Sequence, residues 1–111
     1  MGESWTEEIR REERVRPPVH PGEVLRQEWL EPLDMNPSEL AKALSVNRQN
    51  IYEITNGKRG VSPEMAVRLG RWSRMRPSFW TGLQSRYDLE MVEWKEGARI
   101  EIEVQPLPAK L

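Results

Sequence analysis

Between residues 21 and 91 the apolar positions return every three or four residues, the spacing that lines one face of an α-helix. Leu25 and Trp29, with Leu33 after them, mark the first such run; Leu40, Ala41 and Leu44 mark the second; Ile51 and Ile54 mark the third. Ala66, Leu69 and Trp72 form the fourth, and Trp80, Leu83, Tyr87 and Met91 the fifth. These stripes read as core-forming faces. Pro21, Pro37, Pro63 and Pro77 each precede a run, at the first helical position, where a missing N–H costs nothing. The pattern predicts five helices at about 21–31, 37–44, 48–55, 63–74 and 77–91. Asn36-Pro37-Ser38-Glu39 has the form of a capping box, Ser62-Pro63-Glu64 that of a capped acidic start, and His20 before Pro21 reads as a cap. Five short helices with short connections make an all-α domain over 19–91.

The two ends follow other patterns. Ser4-Trp5-Thr6-Glu7 is a further capping-box pattern, and a short helix over 5–14 would have only Trp5 and Ile9 as its apolar stripe. Such a helix is marginal alone. Pro17-Pro18 separates this charged 1–18 segment from the domain. In the tail, 92–111, Ile100, Ile102 and Val104 alternate with Glu101, Glu103 and Gln105, the period-two pattern of a β-strand. A lone C-terminal strand in a helical chain either pairs across a dimer or with another protein, or belongs to a disordered tail. The pattern leaves both open.

Composition removes several classes of function. With 111 residues and no cysteine, the chain has no disulfide, thiolate nucleophile or cysteine-based zinc site. His20 is the only histidine, so multi-histidine metal centres are excluded too, and we expect no cofactor. No apolar run approaches the length of a membrane span, and a cytoplasmic location is compatible with the composition. Ser62 and Ser73 have no base beside them, and no glycine-rich phosphate loop is present. Glu7-Glu8 and Glu12-Glu13 read as a solvated helix face. The expectation is therefore not an enzyme. Met1 to Thr6 fits a myristoylation pattern, but one too short to carry weight.

The net charge of −1 conceals an uneven distribution. Residues 45–86 carry eight basic side chains against two acidic ones, whereas 17–44 and 87–111 are both net acidic. A basic centre can hold a phosphate backbone while acidic flanks repel it or meet another partner. Arginines on 68–76 that merely solvate a helix face would give the same count.

The stretch Ser38 to Ile54 has the organisation of a helix-turn-helix, two short helices crossing steeply through a tight turn. Ala41 supplies the small residue at the crossing, and Leu40, Leu44, Val46, Ile51 and Ile54 supply the apolar lock. The second helix then exposes Arg48, Gln49, Asn50, Tyr52 and Glu53. Arginine pairs bidentately with guanine, and glutamine or asparagine with adenine, in the major groove. Free N–H groups at the same helix end attract phosphate.

This stretch, with the Asn56-Gly57-Lys58-Arg59 that follows, resembles the helix-turn-helix of phage-repressor-like (XRE) regulators. His20-Pro21-Gly22-Glu23-Val24-Leu25, Arg59 to Ala66, and Phe79-Trp80-Thr81-Gly82-Leu83-Gln84 further resemble HigA-type antitoxins, in the right order over 19–91. The resemblance implies a five-helix repressor-like fold and a homodimer that binds double-stranded operator DNA and represses its own operon. It also implies a partner, a RelE-like mRNA-cleaving toxin that the protein neutralises. Residue by residue, Arg48, Gln49 and Tyr52 match base-reading positions, with Asn50 close behind. Ser38, Asn47, Asn56, Lys58 and Arg59 match phosphate-binding positions. Ser45 departs from the pattern, standing where the turn often has glycine; a left-handed backbone there would carry about 1 kcal/mol of strain. The alternative is an autonomous repressor whose only partner is DNA. A short basic reading frame directly upstream would separate the two.

Overall fold

The structure, a computed structural model, describes residues 17–109. The expected helix over 5–14 lies outside them. The described residues divide between a unit Val19–Tyr87 and a second unit that contains 88–109, and each is taken by itself.

Helix α1 spans 21–33. It begins as an α-helix at Pro21–Leu25, widens into a π-helical turn at Arg26–Leu30 and closes with Glu31–Leu33. Its N-terminus is capped by His20, whose Nδ1 accepts the Gly22 N–H at 2.9 Å. The wide turn lies immediately upstream of Pro32, which has no N–H to return and crowds the turn before it. This change of phase corrects one expectation: Leu33 is not on the core face but 55% exposed.

Helix α2 (Pro37–Leu44) starts at the expected capping box. Asn36 Oδ1 accepts the Glu39 N–H at 2.8 Å while the Glu39 carboxylate accepts the Asn36 N–H at 2.9 Å. Helix α3 (Arg48–Thr55) follows after a three-residue turn. Helix α4 (Pro63–Ser73) is capped by Ser62, whose hydroxyl accepts the Met65 N–H at 3.1 Å. Arg68 on α4 reaches back to the C-terminus of α2, its Nη1 donating to the Leu44 carbonyl at 2.8 Å. That contact satisfies an orphan carbonyl and places a cation at the negative end of α2.

Helix α5 spans Pro77–Glu103. Within the 19–87 unit its first turns bring Trp80 into the core, fully buried. Trp29, Phe79 and Trp80 pack as a ring cluster with centroids 4.9–5.8 Å apart, and Trp80 Nε1 donates to the Ser73 hydroxyl. Leu25, Leu40, Ile51, Ile54, Ala66 and Leu69 complete the buried centre. The contact between α1 and α3 demands a glycine: a Cβ on Gly22 would stand 1.8 Å from the Ile54 carbonyl oxygen.

In the second unit, α5 continues as helix through Glu103, and no described residue forms a strand. This corrects the strand expected over 98–105. The Val104 N–H donates to the Ile100 carbonyl at 2.8 Å, and Arg99 pairs with both Glu96 and Glu103 at 2.9 Å. Ion pairs three and four residues apart favour a helix. The alternation of isoleucine and glutamate had suggested otherwise.

Candidate nucleic-acid interface

The turn between α2 and α3 explains how α3 presents its polar end. Ser45 takes the left-handed conformation (φ 57°, ψ 47°), and the Val46 N–H returns to the Ala41 carbonyl at 2.9 Å. That closes α2 and sends the chain across it. Val46 then packs against the core, and Asn47 caps α3 by accepting the Gln49 N–H through Oδ1 at 2.6 Å. Ile51 and Ile54 are fully buried beneath α3, so the opposite face is turned outward.

Arg48, Gln49 and Tyr52 are all exposed on this outer face, Tyr52 to 40%. Asn50 is half-buried, at the edge of the face nearer the core. Ser38 is half-buried in the first turn of α2. The Asn47 side chain is engaged in the cap. Asn56 closes α3 from its C-terminal end through its backbone, while Lys58 and Arg59 stand exposed on the turn after it. Gly57 holds the positive φ of 75° that this turn needs.

Glu53, which the sequence places among the exposed residues of this helix without a role, is central to the geometry. Glu53 lies one turn beyond Gln49, and its two carboxylate oxygens are divided between candidate site residues. Oε2 accepts from Gln49 Nε2 at 3.0 Å. Oε1 accepts from Arg59 Nε at 2.7 Å and forms an ion pair with Arg59 Nη2. The Gln49 amide and the Arg59 guanidinium hold its carboxyl below the usual glutamate range. The i, i+4 spacing from Gln49 was visible in the sequence; the reach across the turn to Arg59 was not.

The basic centre of the chain is partly occupied by structural work. Arg68 is bound to the Leu44 carbonyl and to Glu64, whereas Arg71, Arg74 and Arg76 are exposed around the end of α4. Among the described residues no group of three acidic or histidine side chains could hold a metal ion. No described helix is long and apolar enough to cross a membrane.

A helix-turn-helix family model matches residues 27–71, from the π-helical turn of α1 into α4. The uncharacterised HTH-type transcriptional regulator YbaQ of Escherichia coli K12 is 40% identical over 79 residues, 71% of this chain and 70% of that one. Antitoxin HigA-1 of Vibrio cholerae is 35% identical over 74 residues, 67% of this chain and 70% of that one. Among solved structures, the Pseudomonas aeruginosa antitoxin HigA with the higBA promoter is 43% identical, with a TM-score of 0.80 over 82% of this chain and 99% of that one. The chain belongs to the HigA-type antitoxins of the phage-repressor-like helix-turn-helix family.

Proposed function

We propose that this protein is an antitoxin that binds operator DNA as a homodimer, represses its own operon and neutralises a RelE-like mRNA-cleaving toxin. The observation that carries the DNA half is the outer face of α3, with Arg48, Gln49 and Tyr52 exposed at its N-terminal end. Beside it stand Lys58 and Arg59 on the following turn. Arg48, Gln49, Tyr52 and Asn50 are assigned to base edges; Ser38, Asn47, Asn56, Lys58 and Arg59 are assigned to phosphates, Asn47 through the helix N-terminus it caps. The related P. aeruginosa antitoxin, solved with promoter DNA, supports DNA binding by this chain. A homodimer follows from the length of sequence one reading helix can cover, with half-sites about one helical turn apart.

The toxin half rests on charge and on family. A toxin that acts on RNA is expected to be cationic, and residues 88–103 present Glu93, Glu96, Glu101 and Glu103 beside the exposed Leu89, Val92 and Ile102. That surface complements a basic partner, while the basic centre is left to DNA. The similarity to the uncharacterised transcriptional regulator YbaQ favours a second reading, an autonomous repressor with no toxin. Co-expression with the product of the adjoining gene decides between them. Copurification with rescue of growth is expected; the absence of a toxic neighbour leaves the repressor alone.

A further inference from the structure

We infer that Glu53 is a positioning residue for DNA reading, holding the Gln49 amide and the Arg59 guanidinium in place before DNA arrives; this rests on α3 being the reading helix. Both oxygens of one carboxylate are in use, Oε2 by Gln49 Nε2 at 3.0 Å and Oε1 by Arg59 Nε at 2.7 Å. The Glu53 backbone carbonyl also accepts the Lys58 N–H at 2.8 Å, so the same residue ties α3 to the turn that carries Lys58 and Arg59.

The consequence for Gln49 is directional. A glutamine amide presents a donor at one end and an acceptor at the other, and either end can face a base. A carboxylate accepts only, so it selects the N–H end. One hydrogen of Gln49 Nε2 is thereby assigned to Glu53. The second hydrogen and Oε1 remain as a donor–acceptor pair, the pattern that matches N7 and N6 of adenine. A side chain held in its reading geometry loses less freedom on binding than a loose one.

For Arg59 the same carboxylate engages Nε and Nη2, leaving Nη1 for a phosphate oxygen. The arrangement also has an electrostatic penalty. Glu53 is 30% exposed and sets a negative charge among residues assigned to a phosphate backbone. Glu53 therefore weakens binding to DNA of any sequence while sharpening the choice among sequences. An ordinary surface ion pair would do neither.

The test uses the full chain and a duplex that the wild-type protein selects from a randomised library, with its single-base variants and a scrambled duplex. Glu53→Ala is expected to reduce discrimination at the base pair read by Gln49 about tenfold, within the range for one bidentate contact. It is also expected to bind the scrambled duplex more tightly than wild type, with a salt dependence steeper by about one because the Arg59 charge is no longer neutralised by Glu53. Glu53→Gln keeps the shape and removes the charge, and is expected to steepen the salt dependence alike. In a Gln49→Ala background, Glu53→Ala should cause no further loss of discrimination.

Unchanged discrimination in Glu53→Ala overturns the inference, as does an equal loss of affinity for every duplex. A Glu53→Ala chain that fails to fold, by circular dichroism, leaves the decision to Glu53→Gln, and a wild-type salt dependence there overturns it. Wild-type protein that selects no duplex, or discrimination untouched by Arg48→Ala, removes the reading helix itself and the inference with it. Those results differ from a loss confined to Glu53.

Discussion

Ser45 carries the turn of the helix-turn-helix in a left-handed conformation that its Cβ opposes. Ser45→Gly should relieve that strain and raise stability by about 1 kcal/mol, read as a higher midpoint in thermal or urea unfolding. Gly22 is the opposite case. Its missing Cβ is what lets α1 lie against the Ile54 carbonyl, which is backbone and has little room to retreat. Gly22→Ala should cost about 3 kcal/mol or more, measured by the same unfolding curves. Glu53 adds a pH dependence whose sign follows from its lowered pKa. A carboxyl whose folded pKa lies below its unfolded one contributes stability above the unfolded value, and that contribution is lost as pH falls through the folded value. An NMR titration of the Glu53 carboxyl should give a midpoint below that of an unconstrained glutamate, moving upward in Gln49→Ala. The caps at His20, Asn36 and Ser62 could be read from the sequence because each acts within three residues of itself. The contact from Glu53 to Arg59 could not, because it depends on how the chain turns at Gly57.

At the scale of elements, hydrophobic spacing located all five helices because each buries a stripe of fixed period. Where the period was disturbed, the reading failed. Leu33 lies beyond a π-helical turn and the proline that accompanies it, so it points away from the core it was expected to join. The segment around Ile100 failed for another reason. Ile100, Ile102 and Val104 are all exposed, so their alternation records no buried face; the Arg99 pairs with Glu96 and Glu103 are the informative pattern. Arg99→Ala should therefore lower the helical chemical shifts of residues 96–103 without moving the unfolding midpoint of the 19–87 unit. Strand-like shifts in wild-type protein at 100–104 would contradict the helix.

For the molecule as a whole, the distribution of charge matters more than its sum. Basic residues are concentrated between 45 and 86, and acidic residues predominate over 88–103. The outward polar face of α3 was legible in the sequence because a helix-turn-helix imposes its apolar lock, and the polar remainder must face out. Within this face the Asn47 cap holds the Gln49 N–H and the Glu53 carboxylate holds the Gln49 amide. In the proposed function the N-terminal end of α3 reads bases while the turn after it holds phosphate. Fluorescence-anisotropy titrations of wild type, Arg48→Ala and Lys58→Ala against the selected duplex and its single-base variants, at several salt concentrations, test it most directly. Arg48→Ala should lose about 1–3 kcal/mol per half-site and its preference at one base pair. Lys58→Ala should bind all duplexes more weakly alike, with a salt dependence shallower by about one. An Arg48→Ala protein that kept both the affinity and the base preference of the wild type would contradict the account.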